Sequence, residues 1–182
     1  MENMFTFVSG NLALDFAGTV RARTTDRDDQ LATPSDLGRW LVEAGVLDTV
    51  PDCVATDLGH AVRLREAGYG LALAALRREP FDEADRAVVN RAALGELPNV
   101  DLLADGTVRR TGSVDAALAT IARAAIEVVG GADHGQIREC GRDACTRLYL
   151  DTSRARNRRW CDMTRCGNRA KSAAFRTRHS EK

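Results

Sequence analysis

Two short cysteine motifs, CGRDAC at residues 140–145 and CDMTRC at residues 161–166, decide how the end of this chain folds. Four residues separate the cysteines within each motif, and fifteen residues separate the two motifs. Close cysteine pairs at such a separation are typical of a closed tetrahedral zinc site, because each pair folds into a turn that presents two sulfurs to one ion. The sequence therefore predicts a structural Zn²⁺ ion bound by Cys140, Cys145, Cys161 and Cys166.

We expect neither a membrane anchor nor a secretion signal in this chain. No run approaches the roughly eighteen consecutive apolar residues of a membrane span, and residues 1–4 lack the basic start of a signal peptide. We therefore expect a cytoplasmic protein that does not associate with membranes. Because thiols stay reduced in the cytosol, four spaced cysteines favour a metal site over two disulfides.

Charge is distributed unevenly, although 26 basic and 26 acidic residues give a formal net charge of zero. Residues 1–136 hold 13 basic and 21 acidic residues, a formal charge of −8, whereas residues 137–182 hold 13 basic and 5 acidic residues, a formal charge of +8. This reversal, the glycine-rich segment 130–135 and the start of the cysteine pattern predict two units, residues 1–136 and residues 137–182. The cationic second unit favours a polyanionic partner.

The first unit is predicted to be an α+β domain dominated by helices. Alternation of Phe5 and Phe7 predicts a short strand over residues 4–8, and residues 21–30 have the composition of a loop. Caps and apolar spacing predict helices over residues 11–19, 33–45, 52–78, 82–94 and 113–129, with a hairpin over residues 100–110 around an Asp-Gly turn.

The second unit is predicted to be a treble-clef-like zinc finger. Strands over residues 137–139 and 146–150 enclose the first cysteine pair, and a helix capped by Thr164 continues to about residue 178. Leu148 lies on one face of the second strand and Tyr149 on the other. A unit with so few apolar side chains needs the metal to fold, and structural zinc supplies on the order of 10–16 kcal/mol in finger peptides.

Residues 1–136 show no convincing catalytic pattern. The histidines at positions 60, 134 and 179 belong to no Ser-His-Asp or Cys-His arrangement, and no glycine-rich phosphate loop is present in the sequence. We therefore expect that the chain is not an enzyme.

Asp15 stands out because apolar residues flank it on both sides. It is either an exposed helix residue or a partly buried carboxylate that holds a partner or a ligand. Polar groups follow this apolar helix beside a loop, so we predict a small-ligand cleft near Asp15, Thr19, Arg21 and Arg23.

The chain resembles two known families along nearly its whole length. Residues 159–171 (RWCDMTRCGNRAK) closely resemble the CGNR zinc finger, and residues 148–154 (LYLDTSR) resemble its hairpin. Residues 10–16 (GNLALDF) and 34–41 (PSDLGRWL) are similar to the ABATE domain that precedes this finger in bacterial proteins. The chain departs from the pattern at Gly18, where we expect an asparagine before the threonine.

This resemblance implies a bacterial, stress-related transcription regulator whose ABATE domain senses a small-molecule effector and whose finger contacts DNA. Two alternatives stay open: an RNA-binding or ribosome-associated module, and an enzyme in the first unit with the finger as an accessory. A single finger reads few base pairs, so a homodimer also stays open, although no heptad repeat supports one. The basic loop and helix of the finger supply the residues predicted to contact duplex DNA: Arg158, Arg159, Arg165, Asn168, Arg169, Lys171 and Arg176.

Overall fold

Helices joined by short antiparallel strand pairs form the fold, which a computed structural model describes for residues 4–132 and 134–172. This arrangement confirms the predicted α+β class. The helices are α1 (Leu12–Ala17), α2 (Pro34–Glu43), α3 (Ala55–Arg77), α4 (Glu83–Ala93) and α5 (Val114–Gly130). The strands are β1 (Val20–Arg21), β2 (Asp28–Asp29), β3 (Asn99–Leu102), β4 (Val108–Thr111), β5 (Ile137–Glu139) and β6 (Leu148–Leu150), paired in that order.

Side-chain hydrogen bonds fix where the helices begin. Asn11 accepts from two backbone N–H groups in the first turn of α1. Thr33 and Asp36 form a reciprocal capping box at the start of α2, and Asp82 and Ser113 cap α4 and α5 through their side-chain oxygens. Because such caps depend on residues close in sequence, the predicted helices are confirmed to within a few residues.

The main core lies between α1, α2, α3 and α5. Trp40 is only 1% exposed, and its ring centroid lies 4.7 Å from that of Phe16. Leu37, Leu64 and Ile121 from three different helices join the same cluster. This core holds α1 in place, and α1 in turn faces the cysteine-bearing part of the chain.

The β5–β6 hairpin packs against the helices on one face and against the cysteines on the other. Leu148 and Leu150 join a second apolar cluster with Leu14 of α1, Ala72 of α3 and Val128 of α5. Tyr149, which points to the opposite face, is fully buried among the cysteines. The predicted alternation along β6 is therefore confirmed, and the finger shares a core with the preceding helices.

Two predictions for the first 30 residues are wrong. Residues 4–8 form no strand, because the backbone N–H groups of Val8 and Ser9 donate to the Asp15 carboxylate, both at 2.9 Å, and pair with no neighbouring strand. The predicted loop over residues 21–30 contains part of the β1–β2 ladder, in which Val20 lies opposite Asp29. Both differences arise from contacts with residues outside the local pattern.

The helix that follows the third cysteine begins earlier than predicted. Asp162, rather than Thr164, is the cap, and its carboxylate accepts a hydrogen bond from the Thr164 N–H at 2.8 Å. Helical residues continue to residue 172, and the first turn, Met163–Gly167, is a π-helical turn. We call residues 163–172 the finger helix. The rest of the predicted helix, residues 173–178, lies outside the described residues.

No helix within residues 4–132 and 134–172 combines the length and the apolar character that crossing a membrane requires.

Candidate metal centre and nucleic-acid surface

The four cysteine sulfurs converge on one point. Their Sγ atoms all lie within 4.8 Å of one another, with 3.8 Å between Cys145 and Cys161 and 3.6 Å between Cys161 and Cys166. Sulfurs bound to one tetrahedral zinc ion at about 2.3 Å lie about 3.8 Å apart. The spacing therefore fits a single Zn²⁺ ion.

Backbone hydrogen bonds bring the two cysteine motifs together. The first motif forms the loop between β5 and β6, where the Cys145 N–H donates to the Arg142 carbonyl at 2.7 Å. The second motif begins the finger helix, and the Cys161 N–H donates to the Cys140 sulfur at 3.5 Å. A hydrogen bond of 2.8 Å from the Gly141 N–H to the Arg159 carbonyl also joins the two motifs.

The chemistry of these thiols favours a cation at the centre. Side-chain hydrogen bonds among the thiols lower the pKa of Cys140 and raise the pKa of Cys145 and Cys161. Sulfurs this close cannot all ionise without a positive charge between them, and bound zinc would hold all four as thiolates. Because all four ligands are cysteines, the set is typical of a closed structural site rather than a catalytic one.

Arg158, one of the residues predicted to contact nucleic acid, braces the metal-binding loops. Its guanidinium lies 4.5 Å from the ring centroid of Tyr149 and donates to the backbone carbonyls of Trp160 (2.8 Å), Val8 (3.1 Å) and Cys161. The backbone N–H of Arg158 donates to the buried Asp151 carboxylate at 2.9 Å. These contacts leave this guanidinium little capacity for an external partner.

Tyr149 completes this brace. Its hydroxyl donates to the Arg158 carbonyl, and burial raises its pKa to about 12. Asp151 was not among the predicted site residues. The sequence signal for its role is the Asp-Thr-Ser pattern, which is typical of a turn in which the Asp side chain accepts from the backbone N–H two residues later. In the structure, the Asp151 carboxylate accepts from the Ser153 N–H.

The other described residues predicted to contact nucleic acid lie on the surface of the finger. Arg165 donates to the Thr6 hydroxyl at 2.8 Å, and Asn168 donates to a carbonyl of its own helix at 3.1 Å. Arg176 lies outside the described residues. Five predicted residues are exposed: Arg159, Arg165, Asn168, Arg169 and Lys171.

Asp15, the first of the predicted ligand residues, is buried and holds the N-terminal segment. Besides Val8 and Ser9, it faces the guanidinium of Arg147 at 3.5 Å. Burial raises the pKa of Asp15, while hydrogen bonds from Ser9 and the charge of Arg147 oppose the rise. Of the two alternatives for this carboxylate, the structure supports the buried one with a protein partner.

Thr19 and Arg23 also have partners inside the protein. The Thr19 hydroxyl donates to the Phe16 carbonyl at 2.7 Å and is itself buried. Arg23 donates to the Ala17 carbonyl at 3.1 Å, pairs with Glu66, and lies 3.9 Å from the ring centroid of Tyr69.

A cleft of about 600 Å³ lies between the chain around β1 and the finger. Of the four residues predicted to bind a ligand, only Arg21 lines it. Residues from the turn after α1 form one side, and the other side includes three of the cysteines, Cys145, Cys161 and Cys166, with their neighbours. The structure thus places the cleft closer to the metal centre than the sequence predicted.

Arg147 was not among the predicted site residues, yet it connects the cysteine-bearing part of the chain to the residues on either side of α1. Its guanidinium is buried and donates to the carbonyls of Thr6 (3.0 Å) and Gly18 (2.9 Å) and to the Ser9 hydroxyl (3.3 Å). Arg147 is the one charged residue of the predicted strand over residues 146–150, and this was the available signal. Alternation shows which face of a strand a residue is on, but not which part of the protein that face contacts.

Comparison with known families adds to this geometry. The model of the CGNR zinc finger matches residues 136–179, which contain all four cysteines, and this finger together with the cysteine cluster fits a structural zinc ion. A comparison with curated proteins found no match. Residues 10–132, more than half of the chain, match the model of the ABATE family. The chain therefore belongs to the ABATE family, described as a putative stress-induced transcription regulator, and carries a CGNR zinc finger at its C-terminal end.

Proposed function

We propose that this protein is a bacterial cytoplasmic transcription regulator that binds duplex DNA through the zinc finger, residues 137–182, while residues 1–136 respond to a small effector. One observation carries the proposal: exposed basic side chains lie beside a metal centre in the cationic part of a chain whose remainder is acidic. Such charge separation directs the finger, and not the helices, toward phosphates.

The finger helix and the loop before it provide two adjacent sets of contacts. Arg165, Arg169 and Lys171 supply positive charge from the helix, and Arg159 supplies it from the loop. Contacts from such groups to phosphates give affinity without sequence information. Asn168, whose amide can donate and accept at a base edge, is the candidate for sequence selectivity.

Salt dependence tests this proposal. If about six phosphates are contacted, affinity for a labelled duplex should fall on the order of a thousandfold between 50 and 200 mM salt. Lys171→Gln and Arg159→Gln should each reduce the slope of log affinity against log salt by about 1. Arg63→Gln is the matched control, because Arg63 is an exposed arginine of α3 outside the finger. A duplex affinity that does not change with salt concentration would contradict the proposed nucleic-acid binding.

Competition separates DNA from RNA. Unlabelled duplex should displace the labelled duplex at lower concentration than a structured RNA of equal length. The reverse order would favour the RNA-binding alternative, since A-form RNA is recognised through its shape and 2′-hydroxyls. The absence of catalysis remains a prediction, which turnover assays on ligands found by thermal shift would test.

A further inference from the structure

The cleft between β1 and the finger has the size of a small-molecule site and an unusual concentration of arginine. Its volume of about 600 Å³ lies within the usual range for ligand pockets. Both units of the chain contribute to its walls. Five arginines line it: Arg21, Arg142, Arg147, Arg165 and Arg169.

Three of these arginines have donors to spare. Arg169 makes no hydrogen bond or ion pair with any residue in 4–132 or 134–172, and Arg165 has only the contact to Thr6. Arg21 lies 3.7 Å from Asp28, at the outer limit of an ion pair. By contrast, Arg147 is saturated by its buried acceptors.

Three carboxylates line the cleft against its five arginines, so they offset the positive charge only in part. Asp28 pairs with Arg21 at 3.7 Å although its side chain is 58% exposed, Asp26 is exposed, and Asp162 caps the finger helix. Zinc bound by four thiolates carries a net negative charge, so an anion would avoid the metal end of the cleft.

The arginines repel one another across the cleft. Burial lowers the pKa of Arg21, and the positive charges of Arg147, Arg165 and Arg169 lower it further, against the opposing effect of Asp28. An anion placed among these guanidinium groups would relieve this repulsion, and each guanidinium offers paired donors that match phosphate or carboxylate oxygens.

We propose that the cleft binds a small, multiply charged oxyanion, such as a phosphorylated or polycarboxylate metabolite, between Arg21 of the first unit and Arg165 and Arg169 of the finger. This inference rests on the proposed function in one respect: Arg165 and Arg169 are also proposed to contact nucleic acid. One guanidinium cannot serve both partners fully, so the bound anion weakens nucleic-acid binding.

Inorganic pyrophosphate is a suitable probe of this site. Calorimetric titration of the full zinc-loaded chain, at constant ionic strength, should give saturable binding. Arg21→Gln and Arg169→Gln should each weaken it by about tenfold, the effect of losing one charge-assisted contact. Arg63→Gln should leave it unchanged. No saturable binding, or equal binding to all variants, would overturn the proposal. Thermal unfolding verifies that each variant is folded.

The same variants separate a free anion from a phosphate of bound DNA. Arg21→Gln should bind pyrophosphate about tenfold more weakly and keep its duplex affinity, whereas Lys171→Gln, outside the cleft, should keep its pyrophosphate affinity and bind the duplex more weakly. Pyrophosphate should also displace duplex from the wild type more strongly than sodium chloride of equal ionic strength. If Arg21→Gln weakens duplex binding and the wild type ignores pyrophosphate, the cleft receives only nucleic-acid phosphates, and the proposal fails.

The two proposals fail separately. A chain that binds pyrophosphate through Arg21 but binds no nucleic acid would remove the proposed regulator function and leave the anion site in place.

Discussion

At the scale of single residues, Arg147 links the zinc finger to the helical unit. Arg147 closely follows Cys145 in the sequence, yet its ion-pair partner Asp15 lies 132 positions earlier in the chain. Because this guanidinium lies against Gly18, a Cβ atom built on Gly18 would lie only 2.6 Å from the Arg147 Cζ atom. The glycine found where the family resemblance suggested asparagine therefore makes room for the arginine.

Gly18→Ala should destabilise the protein by roughly 1–3 kcal/mol, because the added methyl group displaces a buried guanidinium from its acceptors. The measurement is the free energy of unfolding by chemical denaturation. Gly59→Ala is the matched control: its added methyl group meets only the Arg63 guanidinium at 3.9 Å, and alanine in a helix should stabilise by up to about 1 kcal/mol.

A double variant shows whether Arg147 is the cause. If it is, Gly18→Ala and Arg147→Ala together should destabilise by less than the sum of the single effects. Simple additivity would mean that the cost of the methyl group arises elsewhere.

At the scale of elements, Arg65 joins α3 to the β1–β2 ladder. Its side chain is fully buried and donates to both Asp29 carboxylate oxygens at 2.7 Å. It also contacts Thr19 and Glu66. A charge this deeply buried is stable only while its acceptors are ionised, so the ladder depends on the protonation state of those carboxylates.

The Asp29 pair predicts a pH dependence of stability. Burial tends to raise the pKa of Asp29, but the hydrogen bonds and charge of Arg65 outweigh it and lower that pKa below its ordinary value of 3.8. The ionised pair therefore contributes stability above pH of about 4 and loses it as the pH falls through the lowered pKa. Asp29→Asn removes this contribution.

Unfolding free energies of the wild type and Asp29→Asn, measured from pH 7 to pH 3, should differ by a constant amount near neutrality and converge in acid. Asp101→Asn is the control, because Asp101 pairs with Arg109 on an exposed hairpin, where both side chains are about half exposed. Such a pair contributes little at any pH. A difference for Asp29→Asn that stays constant down to pH 3 would contradict the role given to the pair.

Elements whose signals are local could be predicted from the sequence. Asn11, Thr33 and Ser113 cap their helices from within three residues, and the cysteine pairs have ligand spacing that needs no knowledge of the fold. The lack of a strand over residues 4–8 and the presence of the β1–β2 ladder could not, because Asp15 and Arg65 decide them through tertiary contacts.

In the candidate site, too, tertiary contacts decide features that local sequence cannot predict. Arg158 and Arg159 are neighbours with equal charge, yet the Arg158 guanidinium turns inward to buried carbonyls and the Tyr149 ring, whereas Arg159 stays exposed. Sequence pattern cannot separate two such neighbours. It also could not locate the cleft, whose walls come from residues more than a hundred positions apart.

At the scale of the whole molecule, the β5–β6 hairpin is a shared wall between the metal centre and the helical core. The leucines of β6 pack on α1, α3 and α5, while Tyr149 packs on the cysteines. Loss of the metal should therefore destabilise the helices as well, because it removes the packing on one face of this hairpin.

Chelation of zinc should lower the thermal midpoint of the helical unit. In a Trp160→Phe variant, Trp40 is the single remaining tryptophan, and it reports on the helical core alone. A loss of 1 kcal/mol corresponds to roughly 2–4 °C in a chain of this size. We expect the thermal midpoint to fall by at least that amount on chelation. If the midpoint reported by Trp40 does not change, the helices and the finger are energetically independent.

The most direct test of the account is the binding of labelled duplex DNA as a function of zinc, measured by fluorescence anisotropy together with metal content. The wild type and Cys53→Ser, whose cysteine lies outside the cluster, should contain one zinc ion and bind, lose binding on chelation, and recover it when zinc is restored. Cys161→Ser should lack stable zinc and bind weakly throughout. Equal duplex affinity with and without zinc would contradict the claim that the metal organises the nucleic-acid surface.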